Sequence, residues 1–368
     1  MPKKGLLTLC KKLQTIEDIY IANYAGDIYM RAREGDLIET GDKVIFDVKG
    51  LVHPPDKVIA FPRYIPSAEG TRGRVGNLYG KVYNLAERFQ FLQQNAPQLI
   101  VADPVFGETL CEVPVNAITK HYTPVWKLAE LRKAKKLGYL ERKAVLLAES
   151  LKEAAGIPWS SIGISGSIMA GLSTLKSDID TVVYGVQNCR KAYAALENLL
   201  EDERSRFKRY SREELQELFG FRSKDTIMRF EDFAKVEDRK AFQGKFDGVD
   251  YFVRFVKDWS EISEKYGDVY YKNSGYARIT ATVADDSEAL FTPCTYRLEN
   301  VKVLDGPALD QITEIVSFRG RFCEQAKTGE HVVAQGKVEH VKDTRNSREH
   351  YRIIIGNKPS DYMALSQG

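Results

Sequence analysis

The alternation of apolar and polar residues divides the chain into three textures. Between residues 16 and 125, short runs such as 27–31 and 43–48 alternate every second position and are separated by Gly- and Asp-containing turns, the pattern of half-buried strands. Pro54, Pro55, Pro62 and Pro66 confine the next runs to sheet edges or strand ends. Residues 82–95 carry helical spacing and stop at Ala96-Pro97. From Pro124 the apolar positions fall at helical intervals among lysines and arginines, with a break at Gly138. This predicts two helices over 124–155, the second ended by Gly156-Ile157-Pro158. Helices over 188–203 and 213–219, a strand over 250–256 and a short helix over 259–266 follow. Five strand-like runs (275–283, 295–303, 315–322, 332–341 and 351–355) then have the spacing of a small barrel of OB or related type.

The chemistry concentrates where the middle texture turns from helix to strand, at residues 159–185. The apolar run Ile162-Gly163-Ile164 meets Gly166-Ser167, a helix-compatible segment covers 168–175, and a second apolar run opens on Asp178-Ile179-Asp180. Side chains alternate along a strand, so Asp178 and Asp180 share one face while Ile179 points to the core. Gly166 lets backbone approach a ligand, and Ser167 lies where a helix start offers unpaired N–H groups to an anion. An anion site beside two carboxylates suits a metal-bound triphosphate, because Mg2+ takes one or two carboxylates plus phosphate oxygens. Ser165 and Ser177 read as turn or capping residues.

Gly-Ser, ten intervening residues and Asp-Ile-Asp resemble the signature of the DNA polymerase β-type nucleotidyltransferase superfamily, and the whole chain resembles an archaeal group of predicted nucleotidyltransferases. The resemblance implies transfer of an NMP from an NTP, ATP for instance, to an acceptor by a two-metal mechanism. It also implies Asp178 and Asp180 as ligands of Mg2+ or Mn2+, and Gly166 and Ser167 as the phosphate holders. A third carboxylate belongs on a later strand beside the first two. Asp250, opening Tyr251-Phe252-Val253, fits that place, and Asp247, just before Gly248, is the alternative. The fold class expected is α+β multidomain: an N-terminal mainly β domain (1–125), a central α/β nucleotidyltransferase core with a mixed sheet (126–260), and a C-terminal β-barrel-like domain (261–368).

Composition narrows the setting. The chain has 368 residues, 43% hydrophobic and 29% charged, which suits two or three soluble globular domains. The net charge of +3 does not itself demand a nucleic-acid partner, but basic stretches do occur. Residues 67–80, with Arg72, Arg74 and four glycines and with Lys81 just beyond, read either as a phosphate-wrapping loop or as a mobile connection. Residues 204–212 (RSRFKRYSR) suit phosphate contact and base stacking or an exposed helix connection. Arg132, Lys133, Lys135 and Lys136 read either as a solvated helix face or as a cluster that steers a polyanion toward a nearby site. Five scattered cysteines without a CxxC pair exclude a zinc or disulfide framework and point to the cytoplasm. The opening MPKKGLLTLCKKLQ lacks a cleavage pattern and predicts a first strand or short helix. No apolar run reaches membrane-spanning length, so no membrane partner is expected. RNA or another nucleic acid is the expected acceptor. The alternative is a nucleic-acid-binding protein whose inactive transferase core serves as scaffold or nucleotide sensor.

Overall fold

The computed structural model describes residues 20–22, 28–223, 228–309 and 311–366; the predicted first element in residues 1–14, and Cys10 with it, lies outside them. The described residues form an α+β structure of several sheets and seven α-helices. β1 (Tyr20–Ala22) and β2 (Ile28–Met30) pair only with each other. An antiparallel half-barrel follows, built from β3 (Leu37–Thr40), β4 (Ile45–Val48), β5 (Lys57–Pro66), β6 (Arg72–Arg74), β7 (Asn77–Lys81), β8 (Ile100–Asp103), β9 (Glu108–Pro114) and β10 (Ile118–Tyr122). The long β5 pairs with β4, β7 and β9, which lets the sheet bend around Phe46, Val58, Ala60, Cys111 and Val113. Helix α1 (Leu85–Asn95) covers that core with Leu92; it starts where the Asn84 side chain accepts the Glu87 N–H at 2.8 Å.

The middle part opens with α2 (Pro124–Lys133) and α3 (Tyr139–Ala155). Their junction is at Gly138 as the spacing predicts, and Gly156 ends α3 in the left-handed conformation. α3 buries Leu140, Ala144, Leu147, Ala148 and Leu151, one stripe at helical intervals. Then come β11 (Ile162–Ile164), the short α4 (Gly166–Ala170), β12 (Ile179–Tyr184), α5 (Val186–Glu201), β13 (Phe207–Lys208), α6 (Arg212–Arg222), α7 (Phe230–Glu237), β14 (Gln243–Phe246) and β15 (Val249–Val256). The strand order is β11-β12-β15-β14-β13, and only β12 and β15 run parallel. Ile179, Val183, Tyr251, Val253 and Phe255 join the buried residues of α3 and α5 on one face. Val182 and Tyr184 face the N-terminal half-barrel, packing with Leu51. Both faces are covered, which is why these strands read as near-continuous apolar runs.

The last part contains β16 (Val269–Glu288), β17 (Cys294–Asp305), β18 (Ile312–Ser317), β19 (His331–Asp343), β20 (Arg348–Ile354) and β21 (Tyr362–Leu365). β16 pairs with both β17 and β19, so five strands close a ring in the order β16-β17-β18-β20-β19, with β18 and β20 parallel. These are the five expected runs. The helix predicted over 259–266 is a single 3-10 turn, Trp259–Glu261, capped by Asp258. α7 and β21 carry no strong sequence signal yet are ordered by packing: Phe233 of α7 and Met363 of β21 are both buried.

A shared core fixes the half-barrel against the middle sheet. Leu37, Ile45, Tyr64, Tyr79 and Tyr122 of the half-barrel close over Met169, Ala170 and Leu172. The segment expected as a Gly-rich loop is the β6–β7 hairpin, and its arginines bind protein rather than facing outward. Arg72 Nη1 donates to the Leu172 carbonyl (2.7 Å) and Ser177 Oγ (3.2 Å). Arg74 donates to the Ala170 carbonyl (3.2 Å), to Tyr122 Oη (2.7 Å) and to Glu39 (2.7 Å).

Candidate active site

Where the half-barrel meets the ends of β11 and β12, a small polar cleft of about 50 Å³ remains. One wall is Ser165, Gly166, Asp180, Phe252 and Arg254; the other is Gly35, Leu37, Asp47, Arg63 and Tyr64. The turn after β11 is built as a close approach. The Ser165 N–H donates to the Asp180 carbonyl at 2.8 Å, and Ser165 Oγ donates to the Gly35 carbonyl at 2.6 Å, tying the turn to both domains. Gly166 has φ +59°, and a Cβ there would lie 1.9 Å from Asp180 Oδ2. Only glycine lets the Asp180 carboxylate rest against this backbone. α4 is a single turn, shorter than the segment expected over 168–175, because Gly171 ends it at φ +69°. Ser167 is 2% exposed and its Oγ has no hydrogen-bond partner among the described residues.

Gly166→Ala therefore tests the turn directly. The new methyl pushes Asp180 aside and forces an L-residue into a conformation costing about 1–2 kcal/mol. The comparison to make is thermal unfolding of the variant against wild type, the variant unfolding at lower temperature by an amount of that order.

Asp178 and Asp180 lie half-buried at the start of β12. Among the described residues neither carboxylate makes a side-chain hydrogen bond or salt bridge. Burial, then the neighbouring Asp178 charge, lifts the Asp180 carboxyl to about 6, against the pull of Lys81, Arg254 and Arg63. The other acids around the cleft are all paired: Asp47 with Lys49 (2.8 Å), Glu34 with Lys49 (3.2 Å) and with Arg254, Asp36 with His121 (2.9 Å), Asp258 with Arg33 (3.2 Å). Burial would raise Asp47, but Lys49, Arg88, Arg254 and Arg63 outweigh it and hold the group well below the ordinary range.

Asp250 opens β15, the neighbour of β12, at a position two residues before Phe252, the register partner of Asp180. It is exposed, and its carboxylate pairs with Lys245 of β14 at 3.0 Å. Asp247 occupies the β14–β15 turn and pairs with Lys143 at 2.9 Å. Among the described residues, no three Asp, Glu, His or Cys side chains form a group that could hold a metal ion. Lys176 is exposed, and Ser177 Oγ accepts the Thr174 N–H at 2.9 Å, a turn role. The basic-aromatic segment 204–212 is pinned to the fold: Phe207 is buried and Arg209 donates to the Asp238 carbonyl at 2.8 Å.

Sequence reasoning missed the half-barrel's share of this site. Asp47, Arg63 and Tyr64 come from strands far from the Asp-Ile-Asp stretch, and only contacts between domains bring them there. Arg254 did leave a signal, being the one charged residue inside the run Tyr251-Phe252-Val253-Arg254-Phe255-Val256.

An α+β chain of several sheets, whose Asp180 carboxylate lines a cleft between two of them and is unpaired among the described residues, is the class that fold and site define. The chain is 32% identical over 336 residues to the uncharacterized protein MJ1086 of Methanocaldococcus jannaschii, covering 89% of this chain and 96% of that one. It belongs to the family of that archaeal protein. No protein-family model and no solved structure matches it.

Proposed function

We propose that the protein is a nucleotidyltransferase that moves an NMP from an NTP to a nucleic-acid acceptor, RNA in the first instance. The observation that carries this is the contrast among the acids of the cleft. Glu34, Asp47 and Asp258 have cationic partners and Asp36 pairs with His121, whereas Asp178 and Asp180 have no partner among the described residues. Two like charges held together in a partly desolvated place favour a bound divalent cation, which restores the missing counter-charge. Mg2+ or Mn2+ would be held by Asp178 and Asp180, and bound there it stabilises charge on the entering and leaving oxygens.

The chain's own residues do the rest. The Gly166 backbone stands beside Asp180 to receive phosphate oxygens, and the next residue of the turn, Ser167, keeps a buried hydroxyl that has no partner among the described residues. Arg63 and Lys81 bring positive charge from the half-barrel side. Asp250 can serve as the third carboxylate by leaving Lys245, since an exposed pair of this kind is worth only ~0–1 kcal/mol. The order β11, α4, β12 and then the parallel β15 suits a polymerase β-like core, and the closed ring of β16–β20 suits an OB-like barrel. Among the described residues no helix is long and apolar enough to cross a membrane.

Incubation of the full chain with α-labelled NTPs, Mg2+ or Mn2+ and total RNA tests the proposal. Transfer of label by wild type, reduced on the order of 1,000-fold in Asp178→Asn, is the expected result, several kcal/mol of transition-state stabilisation being lost. Salt-sensitive RNA binding without transfer under either metal would leave the scaffold reading instead.

A further inference from the structure

Just outside the cleft, two large aromatic rings from different domains stand together in the open. Tyr83, in the connection from β7 to α1, is 46% exposed, and Phe221, in the last turn of α6, is 57% exposed. Their rings meet edge-on, with centroids 5.9 Å apart and planes at 76°. About half of each residue's surface stays open, and exposed aromatic surface is what a planar ligand stacks on. Beside it lie two cations. The Lys81 ammonium is 4.8 Å from the centre of the Tyr83 ring and the Arg63 guanidinium 5.3 Å. Neither makes a salt bridge among the described residues. Lys81 is also the strand partner of Tyr64, which lines the cleft, so the aromatic pair and the carboxylate pair are joined by one short strand segment.

From Asp180 outward the surface thus runs from acids to two cations without a carboxylate partner among the described residues, Arg63 also donating to the Val82 carbonyl at 3.2 Å, and then to the edge-on rings. A nucleotide has the same sequence of chemistry, from metal-bound phosphate through phosphate oxygens to a flat base. We propose that Tyr83 and Phe221 form a nucleobase-stacking subsite, with Lys81 and Arg63 holding the adjoining phosphates. The assignment rests on the reading of the Asp178–Asp180 cleft as a nucleotidyl-transfer site and adds to it where the base goes. The base can come from the free NTP or from the end of the acceptor strand, and the recognition chemistry is the same.

Equilibrium binding with metal chelated away separates these ideas, because it needs no turnover. The probes are ATP, inorganic tripolyphosphate, and a labelled single-stranded oligoadenylate with or without a base on its 3′-terminal sugar, each titrated into the full chain. Stacking is worth ~1–3 kcal/mol per base, so Tyr83→Leu and Phe221→Leu should weaken a base-bearing ligand about 5- to 150-fold. Tripolyphosphate binding should hold, while Lys81→Met weakens both classes, and Tyr83→Trp restores the lost affinity without restoring anything else. If ATP shows the loss, the base belongs to the incoming nucleotide. If only the base-complete oligonucleotide shows it, the base belongs to the acceptor. Unchanged affinity for both in the leucine variants, equal losses for tripolyphosphate, or no binding of either ligand by wild type would overturn the proposal. Base-dependent binding by a wild-type protein that transfers no label would uphold this subsite while removing the transferase reading.

Discussion

Asp180→Asn is expected to raise the melting temperature of the metal-free protein at pH 8 while abolishing NMP transfer. Burial and the Asp178 charge shift the Asp180 carboxyl from 3.8 to about 6 in the folded protein. A folded-state value above the unfolded one means that ionisation disfavours the fold. That cost is absent below about pH 4, grows as pH rises toward 6 and is fully present above it. Removing the charge should recover roughly 1–3 kcal/mol at pH 8, each pKa unit being worth about 1.4 kcal/mol, and almost nothing at pH 4. A divalent cation should act in the opposite direction. Mg2+ or Mn2+ should raise the wild-type melting temperature at pH 8 in a concentration-dependent way and leave Asp180→Asn unmoved. The wild-type response should fade as pH falls through about 6, where a proton replaces the cation. Thermal scans across pH with and without metal decide the matter. A variant less stable than wild type at pH 8, or one that still gains from metal, would remove Asp180 from the metal site.

Local patterning made most of the elements legible. Period-two alternation marked the strands that carry the half-barrel and the ring, and helical spacing marked α3 to within a residue or two, because each buries one continuous face. The Gly166-Ser167 turn and the Asp178/Asp180 pair could be read because a single strand-turn-strand unit holds them within fifteen residues. What could not be read depends on contacts between distant segments. Arg72 and Arg74 look available in the sequence, yet the fold spends them on the loop after α4. α7 shows the same limit from the other side: its eight residues are helical because Phe233 finds the α6 rings, with Phe219 at 5.3 Å. Asp250 reads as the start of an apolar strand and is one, but nothing in its own segment reveals Lys245 opposite it.

The same reasoning singles out Glu34 as the residue whose loss should be felt most widely. Its side chain is wholly buried at the domain junction, where it accepts from Lys49 (3.2 Å), from the Gly50 N–H (2.9 Å) and from Arg254. Burial alone would lower the Arg254 guanidinium, but Glu34, Asp47 and Asp180 together keep it charged. In Glu34→Gln the amide oxygen can still accept one hydrogen bond, but Lys49 falls back on Asp47 and Arg254 loses its principal partner. Breaking a buried pair from one side costs about 3–5 kcal/mol, so the unfolding midpoint in urea should fall by an amount of that order. The stranded Arg254 should then lean on the other two acids that act on it, Asp47, which Lys49 already holds, and the unpaired Asp180. That new pairing should lower the Asp180 carboxyl and weaken divalent-cation binding about tenfold or more, although Glu34 touches neither carboxylate. Glu34→Gln combined with Arg254→Met should recover most of the stability, since no buried charge is left alone, and the coupling between the two substitutions measures their interaction. A single variant that loses less than about 1 kcal/mol, or one that binds Mn2+ like wild type, would show that Arg254 is not what keeps the half-barrel and the carboxylate pair in register.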